Sequence, residues 1–371
     1  MSELKLLFAE DNVQDRQTCL DCVKDFQSEK GCEIDLVECI RVEEALEKLD
    51  GTFDGAIIDL KLGPEGGEGN EIIKKIAESH FRIPVAILTA TPDATEMGFT
   101  YIGIFKKGET GAGYADILSK LWDVHNTGLP RIMGGRGIIE ETLNTVFLKN
   151  LLPQINFWVK YGKVDPSRTE KALLRHALGH LLQLLDGDEK PFFPEEVYLY
   201  PPLTDQIFTG SVVKGKNGTQ LYVVMNPACD LVIRGDGKFK TDRILLAEID
   251  NHNVVKEISG VIKKRNMKER DKAEKCPHHH KDSVAYEKML EHQNCSINTE
   301  INKLLNNSGR LFLHWLPKTG FFEGGFLNFR KLSSLTKEEF EEKMGVPKIQ
   351  ISPSFIKDIL ARFSSYYEHL F

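Results

Sequence analysis

Two adjacent carboxylates at Glu10 and Asp11, a third at Asp59, a hydroxyl at Thr89 and two neighbouring ammonium groups at Lys106 and Lys107 each follow directly on a short apolar run. Carboxylates brought together repel one another, and a small hard cation offsets that repulsion. Mg²⁺ in particular takes a few carboxylate oxygens, completed by water and phosphate oxygens. An aspartate beside such an ion can attack a phosphoryl donor, because metal and lysine neutralise charge on the transferring oxygens. A hydroxyl and an ammonium would then hold the attached phosphate. This chemistry requires groups far apart in the chain to converge, so the elements that carry them decide whether it is available.

Up to about residue 126 short buried runs alternate with amphipathic stretches. The pattern predicts strands at 4–9, 34–40, 55–58, 85–88 and 101–105, and helices at 14–28, 42–49, 70–79 and 114–124, with a short one near 94–98. Such alternation builds a doubly wound α/β unit on a five-stranded parallel sheet. Open parallel sheets bind ligands beyond the carboxyl ends of their strands, which is where these polar residues stand.

The ordered set resembles the response-regulator receiver (CheY-like, flavodoxin-like fold) family over roughly residues 4 to 125. The resemblance implies that Asp59, in Ile57-Ile58-Asp59-Leu60-Lys61, is the phosphoacceptor. Asp11, in Phe8-Ala9-Glu10-Asp11-Asn12, would be the main Mg²⁺ ligand with Glu10 beside it, and Lys61 would lend a backbone carbonyl. Thr89, in Ile87-Leu88-Thr89-Ala90, would be the switch hydroxyl and Lys106 the phosphate-binding lysine. A bacterial two-component phosphorelay, with a histidine kinase or phosphotransfer protein as donor, is implied as well. Two positions depart from the family. Lys106 is followed by Lys107-Gly108 instead of proline, which leaves the choice of lysine open; and Gly103 stands three before Lys106, where an aromatic is usual, so Tyr101 or Phe105 would have to substitute.

Residues 126–136, with four glycine or proline residues, suit a hinge. Helices at 138–151 and 166–185 follow. The second carries Leu173, Leu174, Ala177, Leu181 and Leu184 at helical spacing, and this connector is expected to dock on the receiver near the 94–98 helix and the 101–105 strand. The expected domains are therefore a receiver at 1–126, a linker and connector at 127–195 and an α+β output domain at 196–371. In the last, runs at 197–199, 210–214, 221–225, 230–233 and 244–248 read as strands of a small barrel or sandwich, with Lys216-Asn217-Gly218 as a hairpin turn. Helices at 254–275, 284–305 and 353–370 and a strand at 310–316 complete it. Asn226-Pro227-Ala228-Cys229-Asp230-Leu231, with 320–332 and 355–367, is loosely similar to output regions of receiver proteins in bacterial phage-defence clusters, a similarity that names no reaction.

Three alternatives attach to the output region. Cys229, with Asp230 and His314, could be a nucleophile, set against a strand-end turn with a buried thiol. Cys276, His278, His279, His280, His292 and Cys295 offer Zn²⁺ ligands, but their spacing fits no standard finger and a surface His cluster reads as well. Residues 256–282 hold nine Lys/Arg against five Asp/Glu without interleaved aromatics, which reads as a solvated helix face in preference to a nucleic-acid site. His176 and His180, one turn apart, read as ordinary helix residues.

A net charge of −7 argues against generic polyanion binding. Seven cysteines, odd in number and scattered, are no disulfide framework. No run approaches the roughly 20 apolar residues of a membrane span, and residues 1–10 lack signal-peptide features. The expectation is a cytoplasmic switch whose output acts by partner binding or self-association. A receiver-gated enzyme built on Cys229 or zinc, or a DNA-binding regulator, is the alternative.

Overall fold

The computed structural model describes residues 3–92, 95, 98–183, 192–234, 239–250 and 303–368, which divide into two compact units meeting between Asp188 and Glu189. The connector helices expected at 138–151 and 166–185 lie in the first of these units.

In that unit β1 (Glu3–Ala9), β2 (Glu33–Cys39), β3 (Gly55–Ile58), β4 (Val85–Thr89) and β5 (Gly103–Lys106) form a parallel sheet of order β2-β1-β3-β4-β5. Around it lie α1 (Val13–Lys30), α2 (Val42–Lys48), α3 (Gly69–Glu78) and α4 (Tyr114–Asn126). Leu4, Leu6, Leu7 and Phe8 of the interior strand β1 are all buried, because helices cover both faces of a parallel sheet and leave no side of the strand for polar residues. One face packs Leu6, Phe8 and Ile57 on α1 and α4; the other packs Leu7, Ile58 and Ile87 on α2 and α3. The short helix expected near 94–98 falls largely outside the described residues.

The expected hinge contains a helix, α5 (Leu129–Met133), and it is tied down: the Gly135 N–H donates to Gly51 O at 2.8 Å and Arg136 pairs with Asp54 at 3.5 Å. Three further helices follow, α6 (Ile138–Val146), α7 (Ile155–Gly162) and α8 (Pro166–Gln183). Glu140 of α6 pairs with Arg82. Gly51 and Asp54 precede β3 and Arg82 precedes β4, so these anchors sit at the amino ends of the strands, away from Asp59. The expected contact with 94–98 falls largely outside the described residues, and these anchors are not on the 101–105 strand, where docking was expected. The cause lies in α4, which runs back along the sheet and delivers the chain to the end opposite the acidic residues.

The C-terminal unit is a curled antiparallel sheet of order β10-β11-β9-β8-β7-β12-β6. Its strands are β6 (Tyr198–Leu199), β7 (Ser211–Lys214), β8 (Leu221–Val224), β9 (Ile244–Asp250), β10 (Leu313–Leu316), β11 (Gly325–Leu335) and β12 (Ile349–Ile351). The edges meet where the Tyr198 hydroxyl donates to Pro317 O at 2.8 Å, which gives the sheet its barrel-like form. Helix α9 (Lys337–Lys343) covers one face through Phe340 and α10 (Pro353–Glu368) the other through Ile356 and Ile359. The hairpin at Lys216-Asn217-Gly218 joins β7 to β8, with Lys214 opposite Leu221. Residues 230–233 form no strand; Ile233 makes a single bridge to Phe239. The helix expected at 254–275 and most of that at 284–305 lie outside the described residues.

Candidate functional site

The β1 and β3 ends are held level by backbone bonds. The Glu10 N–H donates to Cys39 O at 3.1 Å, and the Asp59 N–H to Ala9 O at 2.9 Å. Asn12 caps α1, its Oδ1 accepting from the Gln14 and Asp15 N–H groups, while its own N–H donates to Glu10 Oε1 at 3.1 Å. Close approach of α3 completes the floor: a Cβ on Gly69 would stand 2.2 Å from the Asp59 carbonyl oxygen, so the helix can start there only with glycine. Glu10 and Asp59 are buried and Asp11 is exposed, and one carboxylate oxygen from each lies within 4.8 Å of the other two. Hard oxygen donors in such a cluster fit a small divalent cation. Asp59 Oδ1 also accepts from the Lys61 N–H at 3.1 Å.

The lysine in this cluster is Lys107. Its Nζ donates to Asp15 Oδ2 at 2.7 Å and to Glu10 Oε2 and Asp59 Oδ2 at 2.8 Å. Lys106, the lysine expected there, is exposed and faces Glu109 at 3.7 Å. The reason is strand parity. Phe105 is buried, so Lys106 opposite Thr89 points away, and the next alternate residue turns back over the strand ends. Thr89 is fully buried, its carbonyl accepting from the Lys107 N–H and its Oγ1 from the Thr91 N–H. Counted from Lys107, the position three before is Ile104, which is exposed. Phe105 folds its ring over Gly103, where a Cβ would meet it at 2.5 Å, and Tyr101 packs on Phe99.

Two participants were missed in the sequence. Asp15 stands in the first turn of α1, three residues after a capping Asn, a position that turns its carboxylate toward the same end of the sheet. The Tyr114 hydroxyl, at the start of α4, lies 3.3 Å from Glu10 Oε2. Burial pushes the Tyr114 hydroxyl's pKa up, with the Glu10 charge adding to it, so it stays protonated and able to donate. Burial alone would pull the Lys107 ammonium down, but its bonds to Asp15, Asp59 and Glu10 outweigh that and hold it above the ordinary lysine value. Burial likewise pushes the Glu10 carboxyl up, against the pull of Lys107 and the Asn12 N–H.

A carboxyl whose folded pKa exceeds its unfolded one costs the fold stability once pH rises through the folded value, and returns it as pH falls. Glu10→Gln should therefore melt no lower than wild type in chelator at neutral pH. It should also lose most of the Mg²⁺-induced rise in melting temperature. A chelator-treated variant clearly less stable than wild type would show that Glu10 is retained for the fold and not for a cation.

The thiol candidate does not assemble. Cys229 is exposed, and its thiol lies 3.6 Å from Asp230 Oδ1. The register puts His314 in the row of Leu327, Ile249 and Leu221, three strands across and at the far end of β8 from the Cys229 loop. His314 is buried, with Nε2 3.3 Å from Asn307, and burial with nearby Arg362 pushes its pKa down to about 4. A Cys229–His314 dyad is thereby excluded, since sheet register and not loop proximity fixes the two groups. Cys276, His278, His279, His280, His292 and Cys295 lie outside the described residues. Among the described residues no helix is long and apolar enough to cross a membrane.

No family model matches the chain, and no curated protein does. Solved structures match its N-terminal third. The N-terminal domain of a response regulator/sensory box/GGDEF protein from Carboxydothermus hydrogenoformans is 23% identical, covers 33% of this chain and 94% of its own, and has a TM-score of 0.25. The Vibrio cholerae chemotaxis protein CheY4 is 22% identical over 33% of this chain and 99% of its own, also at 0.25. The receiver domain of a Luxo repressor protein from Vibrio parahaemolyticus is 17% identical over 34% and 97%, at 0.26. With a parallel sheet of order β2-β1-β3-β4-β5 and Glu10, Asp11, Asp59, Thr89 and Lys107 at its carboxyl ends, the N-terminal third of this chain has the CheY-like receiver fold.

Proposed function

We propose that the chain is a response regulator in which Asp59 accepts a phosphoryl group from a histidine kinase, a phosphotransfer protein or a small phosphodonor. The observation that carries this reading is one ammonium, Lys107, within 2.8 Å of both Asp59 and Glu10, with the Asp11 carboxylate in the same cluster. An Asp59 carboxylate oxygen forms the new bond to phosphorus as the bond to the donor's leaving group breaks. Glu10 and Asp11 would hold Mg²⁺ with Asp59 and the Lys61 carbonyl, and the ion would neutralise charge on the transferring oxygens. Lys107 then turns from the free carboxylates to the product's phosphoryl oxygens, and Thr89 offers its hydroxyl to another. The output unit would read this change by binding a partner or a second copy. The reading is supported by the chemistry of the donor set and by the fold's placement of ligands at strand ends.

The test is intact mass after incubation with a small phosphodonor and Mg²⁺. Wild type should gain one phosphoryl group, Asp59→Asn none, and Asp11→Ala should react at least tenfold more slowly unless Mg²⁺ is raised. Equal labelling of wild type and Asp59→Asn would refute the assignment.

A further inference from the structure

The three bonds of the Lys107 ammonium are not equivalent. Its Nζ donates to Glu10 Oε2 and Asp59 Oδ2 at 2.8 Å and to Asp15 Oδ2 at 2.7 Å. Glu10 and Asp59 belong, with Asp11, to the group of carboxylates close enough together to share one cation, and Asp15 does not. A divalent ion in that group meets the lysine ammonium on two of the carboxylates it needs, and like charges on shared oxygens repel. Those two bonds have to yield. The bond to Asp15 lies outside the contest.

We infer that Asp15 is the positioning residue for Lys107. It keeps the ammonium over the strand ends while a cation occupies Glu10, Asp11 and Asp59, and the two N–H groups released there can meet the oxygens of an incoming phosphoryl group. The inference rests on the Asp59 reading and adds to it the group that holds the lysine. A holder is needed because a lysine is a strongly hydrated charge on a flexible four-carbon stem, which goes to solvent when its partners are taken away. Lys106, one residue earlier, shows that outcome: its side chain is 53% exposed against 23% for Lys107, and it faces Glu109 at 3.7 Å. Asp15 is itself firmly placed. It stands in the first turn of α1, with its N–H bonded to the Asn12 cap at 3.1 Å, and the positive end of the helix favours a carboxylate there. Cys19, Val23 and Phe26 bury the same helix against the sheet, so the backbone beneath Asp15 is fixed independently of the pocket's load.

The experiment compares acylation of Lys107 and Lys106 in the full chain, read by peptide mass after a short pulse of acetic anhydride. In wild type Lys107 should react about tenfold more slowly than Lys106 with or without saturating Mg²⁺, because an ammonium held by carboxylates keeps its proton and is no nucleophile. In Asp15→Ala it should stay slow without the ion and come within about threefold of Lys106 with it. Turnover is the second arm. At saturating Mg²⁺ and phosphodonor Asp15→Ala should label Asp59 about tenfold more slowly, Asp15→Glu should recover most of that rate, and in a Lys107→Ala background the loss should shrink below about twofold. Lys107 that stays protected in Mg²⁺-loaded Asp15→Ala would overturn the proposal. So would Lys107 exposed in that variant even without the ion, which would make Asp15 a part of the fold, or a rate loss undiminished without Lys107, which would leave Asp15 acting through its charge alone. A wild type that takes no label would refute the Asp59 reading, and the acylation pattern, which needs no phosphodonor, would still decide whether Asp15 holds the lysine.

Discussion

Lys107→Ala should slow phosphorylation of Asp59 by about 10²–10³-fold, while Lys106→Ala leaves the rate within about twofold. A preorganised donor aimed at charge that develops during transfer is typically worth that factor. Lys107 is the cation within 2.8 Å of Asp59, whereas Lys106 faces Glu109 in solvent. The same substitution leaves Glu10, Asp15 and Asp59 crowded without their shared ammonium. Because Lys107 is about a quarter exposed, solvent screens part of that repulsion, and a loss of about 2 kcal/mol without metal is expected. Magnesium should return much of the stability but not the rate, since the ion screens the carboxylates and cannot take the lysine's place on the phosphoryl oxygens. Time courses of intact mass, beside melting curves with and without Mg²⁺, separate the two effects. Equal rates for the two variants, or a slower Lys106→Ala, would reinstate the lysine that sequence order suggested.

Phe329→Ala should destabilise the C-terminal unit by about 3–5 kcal/mol, lowering its melting temperature by roughly 10 °C, whereas Phe193→Ala should stay within about 0.5 kcal/mol. Phe329 is fully buried, packs edge-on against Phe363 at 5.3 Å and receives the Tyr367 hydroxyl on its carbonyl. It lies in the irregular stretch of β11 between Asn328 and Leu332, where its N–H also donates to Phe312 O at 2.9 Å. Phe193 is mostly in solvent. Hydrogen exchange in 244–250 and 325–335 reads this unit directly. Similar costs for the two phenylalanines would mean that α10 does not close this face of the sheet.

The sequence by itself determined the receiver fold and most of its site. Strands buried on both faces are continuous apolar runs, and in a parallel sheet the residue after each run must reach the same end. That is why Glu10, Asp11, Asp59 and Thr89 could be placed from their neighbours alone. The tertiary structure decided which lysine joins them, because Lys106 and Lys107 differ only in strand parity and that is set by Phe105 docking under the sheet. It also brought in Asp15 and Tyr114, whose reach depends on how α1 and α4 pack. In the C-terminal unit the eleven-residue β11 escaped the pattern because Arg330, Lys331, Ser333 and Ser334 make half of it look like a loop. Its partner β9 supplies Glu248 and Asp250 for Lys331, a pairing across some eighty residues that only sheet register reveals. The same register separates Cys229 from His314. Local pattern records which side of an element meets the core; which distant groups meet each other is fixed by ladders and helix packing, which a single chain of residue types does not encode in any short window.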